Sequence, residues 1–452
     1  MNHNIKLIGI SIKELFGKFD YSIDIPGDYA PLILTGPNGY GKSTILNIIE
    51  SASNRNLLYF HYLPFSHISL QYSDGSKLDI FGDSGNLTDS DCAGALIEDT
   101  DEFDIRVGEL RLPVRKISET KQTIFRIETP FLKETVEFGL DNKKIEKAVR
   151  RIRYWRRLDI KTIDQSSDDY INFVLSNKVE IQDYLFSEMN NPVFLFSLES
   201  LPSACLIPAQ RIFTKLGSAK DEIWKESIDV VSQDLRNRLI NAQGQYLRES
   251  QIRNSDFIIK ALNDQDIITE EEYNKKVSIL LPKIKFLKDC GLISDITFPE
   301  FSDRHDGILH FFIEDLSYKL SIFDDTITKL KLFINLVSAK KFTNKTIEIT
   351  VQGGLRFKSD DGYFVGLDKL SSGEKNEIIM LYNYIFKVGE GSILLIDEPE
   401  ISLHVAWQLS FIDEIVDISS QNKLTTIVAT HSPEIINERW DECVDLFEIS
   451  NN

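Results

Sequence analysis

A glycine-rich segment near the N-terminus has the residue types and the spacing of a phosphate-binding loop. The run from Gly36 to Ser43 fits the pattern G-x-x-x-x-G-K-[ST]. Its glycines let successive backbone N–H groups point inward at phosphate oxygens, and a following helix directs its positive dipole end at the same anion. Lys42 would place its charge against the β- and γ-phosphates, and the Ser43 hydroxyl could ligate Mg²⁺. We therefore expect a nucleotide to bind along Gly36, Pro37, Asn38, Gly39, Tyr40, Gly41, Lys42, Ser43 and Thr44.

Two adjacent carboxylates follow an apolar run, Ile393-Leu-Leu-Ile396. A buried strand would deliver Asp397 to the nucleotide, where its carboxylate could hold Mg²⁺ directly or through water. Glu398 could then polarise the attacking water as a general base. By itself, this short motif is equally typical of an ordinary strand end.

Two further segments place polar residues at the end of a predicted element. Leu370-Ser-Ser-Gly-Glu374 precedes an apolar helix and could offer hydroxyls, N–H groups and the helix dipole to an anion. A plain helix cap is the more common use of such a turn. His431 follows the predicted strand Thr426–Thr430 and could hydrogen-bond a γ-phosphate, although a lone histidine there is usually structural.

An α/β fold must position these segments. Strand-like runs precede the glycine-rich loop, and a segment with helical spacing follows it. From about 218 to 290 the chain is charged and helix-prone, with an apolar side that includes Ile279, Leu280, Ile284 and Leu287. We interpret this stretch as a helical arm that turns back on itself. Compact α/β structure then returns, with a predicted helix over 318–340 and short strands near 346–358.

Composition narrows the functional classes. The chain has 452 residues and a formal net charge of −19, so an acidic body should repel nucleic acid unless a local basic patch overcomes it. No apolar run is long enough to span a bilayer, and the N-terminus lacks a signal pattern. The four cysteines form no CxxC pair, so we expect reduced thiols; they are Cys92, Cys205, Cys290 and Cys443. Together these features predict a cytoplasmic protein without a membrane partner.

The order of the motifs resembles that of ABC-type ATPases: Walker A, signature, Walker B and switch histidine. The resemblance implies ATP and Mg²⁺ as cofactors, with Glu398 and His431 as catalytic residues. It implies that Ser402, Leu403 and His404 form the D-loop. It also implies head-to-tail pairing in a homodimer or larger homo-oligomer, in which the signature of one subunit closes over ATP held by the other. The signature residues are then Ser371, Ser372, Gly373 and Glu374.

Two features depart from the resemblance. The signature reads LSSGE, where transporters favour LSGGQ. The Q-loop is not obvious: Gln210, after the predicted strand 204–207, is our choice, and Gln71 is the competitor. The predicted metal ligands are accordingly Ser43, Asp397 and Gln210.

The resemblance also implies a domain organisation, because a long interruption separates Walker A from the signature, as in the Rad50, SMC and OLD-like branch. We expect an ABC-type P-loop NTPase head with a three-layer mixed sheet and an inserted helical arm. The expected segments are the N-terminal lobe of the head (1–83), an insertion with an acidic loop and a basic helix (84–203), a head strand with the Q-loop (204–217), the helical arm (218–317) and the C-terminal lobe (318–452).

The C-terminal third resembles most closely the OLD-like AAA ATPases of bacterial anti-phage systems, such as the PARIS and Septu ATPase subunits. The resemblance includes the run Leu395–Glu400 and the run Ala429–Pro433. OLD nucleases carry a Toprim domain after the ATPase, whereas this chain ends about twenty residues beyond His431. We therefore expect a sensor or scaffold that controls a separate effector, a nuclease, with a phage protein as a candidate trigger.

A basic helix over 143–157 is the notable charged patch. It could grip phosphates and stack bases, dock an acidic protein, or simply be a solvated face. A genome-maintenance ATPase of the Rad50 or RecF kind, acting on DNA, is the alternative function, while the long insertion disfavours a transporter motor. The residues of the patch are Lys143, Lys144, Lys147, Arg150, Arg151, Arg153, Arg156 and Arg157, with Tyr154 and Trp155.

Overall fold

The protein is described by a computed structural model that separates into two compact units. The first unit comprises Met1–Gln210 and Lys387–Asn452, and the second comprises Arg211–Phe386. The described residues are 5–27, 29–82, 104–107, 110–113, 122–130, 135–155, 173–174, 177–188, 191–208, 213–216, 223–263, 266–340, 342, 345–401, 403 and 405–450.

Groups of strands alternate with groups of helices along the described chain. In order they are β1 (Leu7–Leu15), β2 (Phe19–Asp24), β3 (Leu32–Thr35), β4 (His67–Tyr72), β5 (Lys77–Phe81), β6 (Asp104–Val107), β7 (Leu110–Pro113), β8 (Gln122–Glu128), β9 (Val136–Asp141), β10 (Ala204–Ile207), β11 (Phe213–Leu216), β12 (Ile223–Glu226), β13 (Lys345–Thr350), β14 (Gly354–Ser359), β15 (Phe364–Val365), β16 (Ile393–Asp397), β17 (Thr425–Ala429) and β18 (Cys443–Asp445).

The helices range from single turns to one of 37 residues. In order they are α1 (Lys42–Ser53), α2 (Leu57–Tyr62), α3 (Asn142–Trp155), α4 (Lys178–Ser187), α5 (Pro192–Glu199), α6 (Ser227–Asn263), α7 (Glu270–Asp289), α8 (Asp306–Ser321), α9 (Asp324–Ala339), α10 (Ser372–Tyr382), α11 (Val405–Gln408), α12 (Phe411–Asn422), α13 (Pro433–Ile436) and α14 (Leu446–Ser450).

A five-stranded parallel sheet organises the first unit, in the order β10-β16-β17-β3-β18. Its central strands are short apolar runs buried on both faces, as parallel strands covered by helices usually are. Since all five strands run the same way, the loops after β3, β16 and β17 leave from the same edge of the sheet. The loop after β3, the residues after Asp397 and the residues after Ala429 therefore all lie at this edge.

A six-stranded antiparallel sheet completes the first unit, in the order β2-β1-β4-β5-β8-β9. Buried and exposed residues alternate along β2, which is the pattern of a sheet with one face against the core. A continuous apolar core joins this sheet to α1, α2 and the parallel sheet, and includes Ile10, Ile45, Phe60 and Ile427. The antiparallel sheet thus supports α1, which begins at the glycine-rich loop.

The second unit is mainly helical. The long helix α6 and the helix α7 both contact α8, and β13, β14 and β15 form an antiparallel sheet beside α6. The helix α7 begins with a capping box between Thr269 and Glu272. The predicted helix over 318–340 was wrong as a single element, because α8 and α9 divide at Ile322 and Phe323. Asp324 and Asp325 favour a new helix start there, since acidic side chains stabilise the first turn.

These elements confirm the predicted α/β fold class. The predicted strands near 346–358 are β13 and β14. The division into five segments stays a prediction, and the acidic stretch up to residue 103 lies outside the described residues. No helix in the described part of the chain is both long and apolar enough to cross a membrane.

Candidate nucleotide-binding site

The glycine-rich loop connects β3 to α1 through backbone conformations that suit glycine. Gly36, Gly39 and Gly41 have φ angles of 128°, 87° and 82°. Gly41 is the residue that precedes the first turn of α1, and no side chain caps this helix. Because the first N–H groups of a helix have no intrahelical acceptor, an uncapped start leaves donors that can bind an anion.

Lys42 lies inside the loop. Its Nζ donates hydrogen bonds to the carbonyl oxygens of Gly36 at 2.7 Å and Pro37 at 3.2 Å, and the residue is 6% exposed. Burial lowers the pKa of Lys42, while the negative charges of Glu398 and Asp397 act in the opposite direction. The ammonium group is therefore held at the loop by backbone oxygens and faces a carboxylate-rich edge.

A hydrogen bond joins the loop to the end of β16. The Ser43 hydroxyl donates to Asp397 Oδ1 at 3.1 Å. Burial raises the pKa of Asp397 to about 6; the hydrogen bond from Ser43 acts against this shift and the charge of Glu398 adds to it. A hydroxyl and a carboxylate at this separation are oxygen donors of the kind that Mg²⁺ prefers.

The two oxygen donors, Ser43 and Asp397, fit Mg²⁺ better than they fit a metal ion whose ligands all come from the protein. In the described part of the chain, no group of three or more His, Cys, Asp and Glu side chains is placed to hold a metal ion. Mg²⁺ commonly uses one or two protein ligands together with water and substrate phosphates. Ser43 and Asp397 would supply those protein ligands.

Glu398 has an unusual backbone conformation. Its φ is 43°, in the left-handed region that residues with a side chain rarely adopt, and its N–H donates to the Ala429 carbonyl at 2.9 Å. Such conformations persist only where the surrounding structure enforces them, and they concentrate at functional sites. The end of β16 is thus tied to the end of β17 at the residue predicted as the general base.

Glu400 is a residue whose contacts the sequence did not reveal. Its Oε2 accepts a hydrogen bond from the Thr430 hydroxyl at 2.8 Å, and its Oε1 accepts one from the His431 N–H at 2.7 Å. The His431 side chain is exposed, whereas Thr430 is fully buried. The structure therefore brings the predicted switch histidine to the same edge as Asp397 and Glu398. The motif around Glu400 was visible in the sequence, but nothing in its spacing indicated these two bonds.

Aromatic contacts hold the middle of the glycine-rich loop. The Tyr40 ring lies 5.3 Å from that of Phe19 and 5.5 Å from that of Phe447, measured between centroids. The Tyr21 hydroxyl donates to the Tyr40 carbonyl at 2.7 Å. Such aromatic pairs contribute about 0.5–1.5 kcal/mol beyond area burial. The loop conformation is therefore supported from β2 and α14.

The predicted signature lies in the second unit, at the start of α10. Ser371 Oγ accepts from the Glu374 N–H at 3.2 Å, and Glu374 Oε2 accepts from the Ser371 N–H at 2.8 Å, which completes a capping box. Lys345 Nζ donates to Glu374 at 2.8 Å. Burial acts to raise the pKa of Glu374, but the hydrogen bonds from Lys345 and Ser371 outweigh it, so the pKa lies below its usual value.

The remaining predicted site residues are only partly described. Gln210, Ser402 and His404 lie outside the described residues, while Leu403 is 6% exposed. The competing Q-loop candidate, Gln71, lies on β4 in the antiparallel sheet, opposite Gly9 of β1, with an exposed side chain. The assignment of a Q-loop residue stays a prediction.

Residues 6–436 match the family described as the AAA ATPase domain, so this chain belongs to that family and is an ATPase of this class. A stretch of 76 residues is 32% identical to protein ea59 of Escherichia phage lambda. It spans 17% of this chain and only 14% of the length of that relative.

Solved Smc head domains are also similar to the chain. The Pyrococcus furiosus head bound to the C-terminal domain of ScpA has a TM-score of 0.33 and 14% identity, covering 96% of this chain and 91% of that one. The Thermotoga maritima head has a TM-score of 0.30 and 11% identity, covering 95% and 91%.

Proposed function

We propose that this chain binds and hydrolyses MgATP at a composite interface between two copies, and that the cycle controls a separate nuclease effector in anti-phage defence. The observation that carries the ATPase site is the hydrogen bond between Ser43 and Asp397 at 3.1 Å. This bond joins the phosphate-binding loop to the edge of the parallel sheet at which Glu398 and His431 also lie.

Each residue has a defined role in this proposal. The loop N–H groups and Lys42 bind the phosphates, and Ser43 and Asp397 would hold Mg²⁺, which would supply charge neutralisation at the phosphates. Glu398 accepts a proton from the attacking water as the water oxygen bonds to the γ-phosphorus and the bond from that phosphorus to ADP breaks, so that ADP and phosphate leave. His431 donates a hydrogen bond to the γ-phosphate and so stabilises charge that develops on its oxygens.

The need for a second copy rests on the number and exposure of the motifs. One chain carries one phosphate loop and one signature. Ser371 and Ser372 are exposed at the start of α10, where a partner could reach them. Head-to-tail pairing would give each bound ATP a signature from the other subunit. An isologous dimer with two equivalent sites satisfies this requirement.

The defence role rests on the resemblance of the C-terminal third to OLD-like AAA ATPases of anti-phage systems. ATP would hold one conformation that retains the effector, and hydrolysis stimulated by a phage trigger would release it. The Glu398→Gln variant tests this role because it should bind ATP without hydrolysing it. The protein would be purified from its native host before and after phage challenge, with Lys42→Ala as a control that does not hold ATP.

The proposal predicts a nuclease partner that leaves the wild-type protein on phage challenge and stays on Glu398→Gln. A partner set that is the same before and after challenge in all three proteins would contradict the switch. Nucleic acid without a protein partner would instead favour the genome-maintenance alternative.

One observation favours that alternative, namely the basic face of α3. Lys143, Arg150 and Arg151 are exposed on it, although Lys147 forms an ion pair with Glu188 and Arg150 with Glu146. Arg156 and Arg157 lie outside the described residues. DNA-stimulated ATP turnover that falls steeply with salt, and that is lost when Lys143, Arg150 and Arg151 are changed to Glu, would support action on DNA.

A further inference from the structure

Glu400 connects the ends of two neighbouring strands. It lies three residues beyond Asp397, the last residue of β16, in the short turn Pro399–Ile401. Both of its carboxylate oxygens accept hydrogen bonds from residues that follow β17, at 2.8 Å from Thr430 and 2.7 Å from His431. Because one donor is the backbone N–H of His431 itself, this bond fixes the point from which the imidazole projects.

Thr430 extends the same connection toward the next residue. Its hydroxyl donates to Glu400 and accepts from the Ser432 N–H at 3.0 Å. Thr430 is fully buried and Ser432 is 9% exposed, so the bond between them is shielded from water, whereas the bond from Thr430 to Glu400 is partly buried. Hydrogen bonds to a charged acceptor are stronger than those between neutral groups. The residues on both sides of His431 are thus held by hydrogen bonds.

Gln408 forms a second connection from the segment after β16. Its Nε2 donates to the Leu403 carbonyl at 3.3 Å, and its Oε1 accepts at 2.8 Å from the Ser432 hydroxyl, which is shared with Glu434 Oε2 at 2.9 Å. The residue is 7% exposed. Leu403 is the central residue of the predicted D-loop, so Gln408 links that segment to the residue after His431.

We propose that Glu400 is a positioning residue that sets His431 for the γ-phosphate. This inference rests on the proposed function, since it assigns His431 its role there. Glu400 places a third negative charge beside Asp397 and Glu398, which adds to the forces that raise the pKa of Asp397. Its two hydrogen bonds to the segment after β17 account for a carboxylate at this position.

The test separates a positioning role from a purely structural one. Glu400→Ala removes both acceptors, whereas Glu400→Gln can accept from the His431 N–H and donate to the Thr430 hydroxyl. We expect Glu400→Ala to lower kcat by at least about 10-fold, since small displacements of a catalytic group have large kinetic effects, with the Kd for ATP changed by less than about threefold. Glu400→Gln should recover most of the lost rate.

A double variant tests whether Glu400 acts through His431. The Glu400→Ala, His431→Ala double variant should be no slower than His431→Ala alone, because one interaction can be lost only once. Thr430→Ser, which keeps the hydroxyl, should match the wild type, and Thr430→Val should lose part of the rate.

Several outcomes would overturn the positioning role. These are an unchanged kcat in Glu400→Ala, a loss that multiplies with that of His431→Ala, or a loss of ATP binding that parallels the loss of rate. If His431→Ala itself turns over ATP at the wild-type rate, the role of His431 in the proposed function fails, and the positioning role fails with it. If the wild type turns over ATP and only the Glu400 variants behave differently from expectation, the proposed function stands and this inference does not.

Discussion

The two helix starts that carry the predicted ATP motifs differ in whether side chains cap their first backbone N–H groups. The helix α1 follows Gly41 in the left-handed conformation and has no side-chain cap, whereas α10 has a complete capping box between Ser371 and Glu374. Capping side chains satisfy N–H groups that would otherwise bind solvent or an anion. The first helix start is therefore open to a phosphate along its whole first turn.

The second helix start is open only in part. The capping box uses the N–H groups of Ser371 and Glu374, and it does not involve those of Ser372 and Gly373. A phosphate that approaches α10 would therefore meet a preformed, regular helix and two specific backbone donors. In the proposed function, α1 supplies the main phosphate site and α10 adds a second contact without rearranging.

The largest expected effect comes from comparing the same Glu-to-Gln substitution beside the phosphate-binding loop and at the start of α10. Glu398→Gln should lower kcat by about 10²–10⁴-fold while ATP binding is retained, because the base that accepts the proton of water is lost. Glu374→Gln should change kcat by no more than a few-fold, because glutamine also completes a capping box. Steady-state turnover with a separate ATP-binding measurement checks both, and similar losses in the two variants would remove the distinction.

We expect the ionised carboxylate of Asp397 to lower the free energy of unfolding by up to about 3 kcal/mol when no nucleotide is bound. Because the pKa of Asp397 is raised to about 6, the folded protein binds this proton more tightly than the unfolded chain does. The stability that protonation provides is present at low pH and is lost as the pH rises through about 6. Asp397→Asn should therefore be more stable than the wild type near pH 7.5 and not near pH 4.

Thermal unfolding without nucleotide at those two pH values checks the change at Asp397. A Mg²⁺ titration with ATP provides the control, because the same variant should lose metal-dependent stabilisation. An Asp397→Asn protein that is less stable than the wild type at the higher pH would show that the carboxylate is not strained by burial.

Replacing one glycine at each helix start, Gly41 or Gly373, with alanine compares the two helix starts directly. At Gly41, φ is 82° and an added Cβ would lie 3.3 Å from Leu15 Cδ2, so alanine should cost roughly 1–2 kcal/mol and weaken ATP binding. At Gly373, an added Cβ meets nothing within 4 Å, so alanine should stabilise α10 by about 0.5–1 kcal/mol. Chemical denaturation measures both. A stabilised Gly373→Ala with reduced turnover would indicate that a second molecule approaches this glycine.

A further small effect concerns the cap of α10. Ser371→Ala should destabilise the second unit by about 1 kcal/mol, and Ser371→Thr should restore most of that loss. Denaturant midpoints of the three proteins provide the measurement. Equal midpoints for serine and alanine would mean that the capping box adds no stability, which would make α10 more like α1 than the structure indicates.

Local sequence patterns were enough to predict the elements that carry the motifs. The loop between β3 and α1, the strand ending at Asp397 and the strand before His431 are each encoded within about ten residues, because glycine conformation and apolar runs act locally. The arm was predicted less well. Leu280, Ile284 and Leu287 are buried as expected, but Ile279 is 65% exposed, since helix periodicity leaves neighbouring apolar residues on different faces.

The contacts that join separate segments could not be predicted in this way. Glu400 and Thr430 are 30 residues apart in sequence, and Ser43 and Asp397 are 354 apart. Their hydrogen bonds depend on the order β10-β16-β17-β3-β18, which no single segment specifies. The left-handed backbone of Glu398 has the same origin, because its N–H reaches the Ala429 carbonyl across the sheet.

The most direct test of a composite ATP site is complementation between two inactive variants. Lys42→Ala removes phosphate binding in the first unit, and Ser372→Arg blocks the exposed start of α10 in the second. Each should be inactive alone. If the sites form between copies, an equal mixture should recover roughly a quarter of the wild-type ATPase rate, since about half of randomly paired dimers are mixed and each has one intact site of two. A mixture as inactive as its components, with mixed dimers shown to form, would contradict the proposal that the signature acts on ATP held by the other copy.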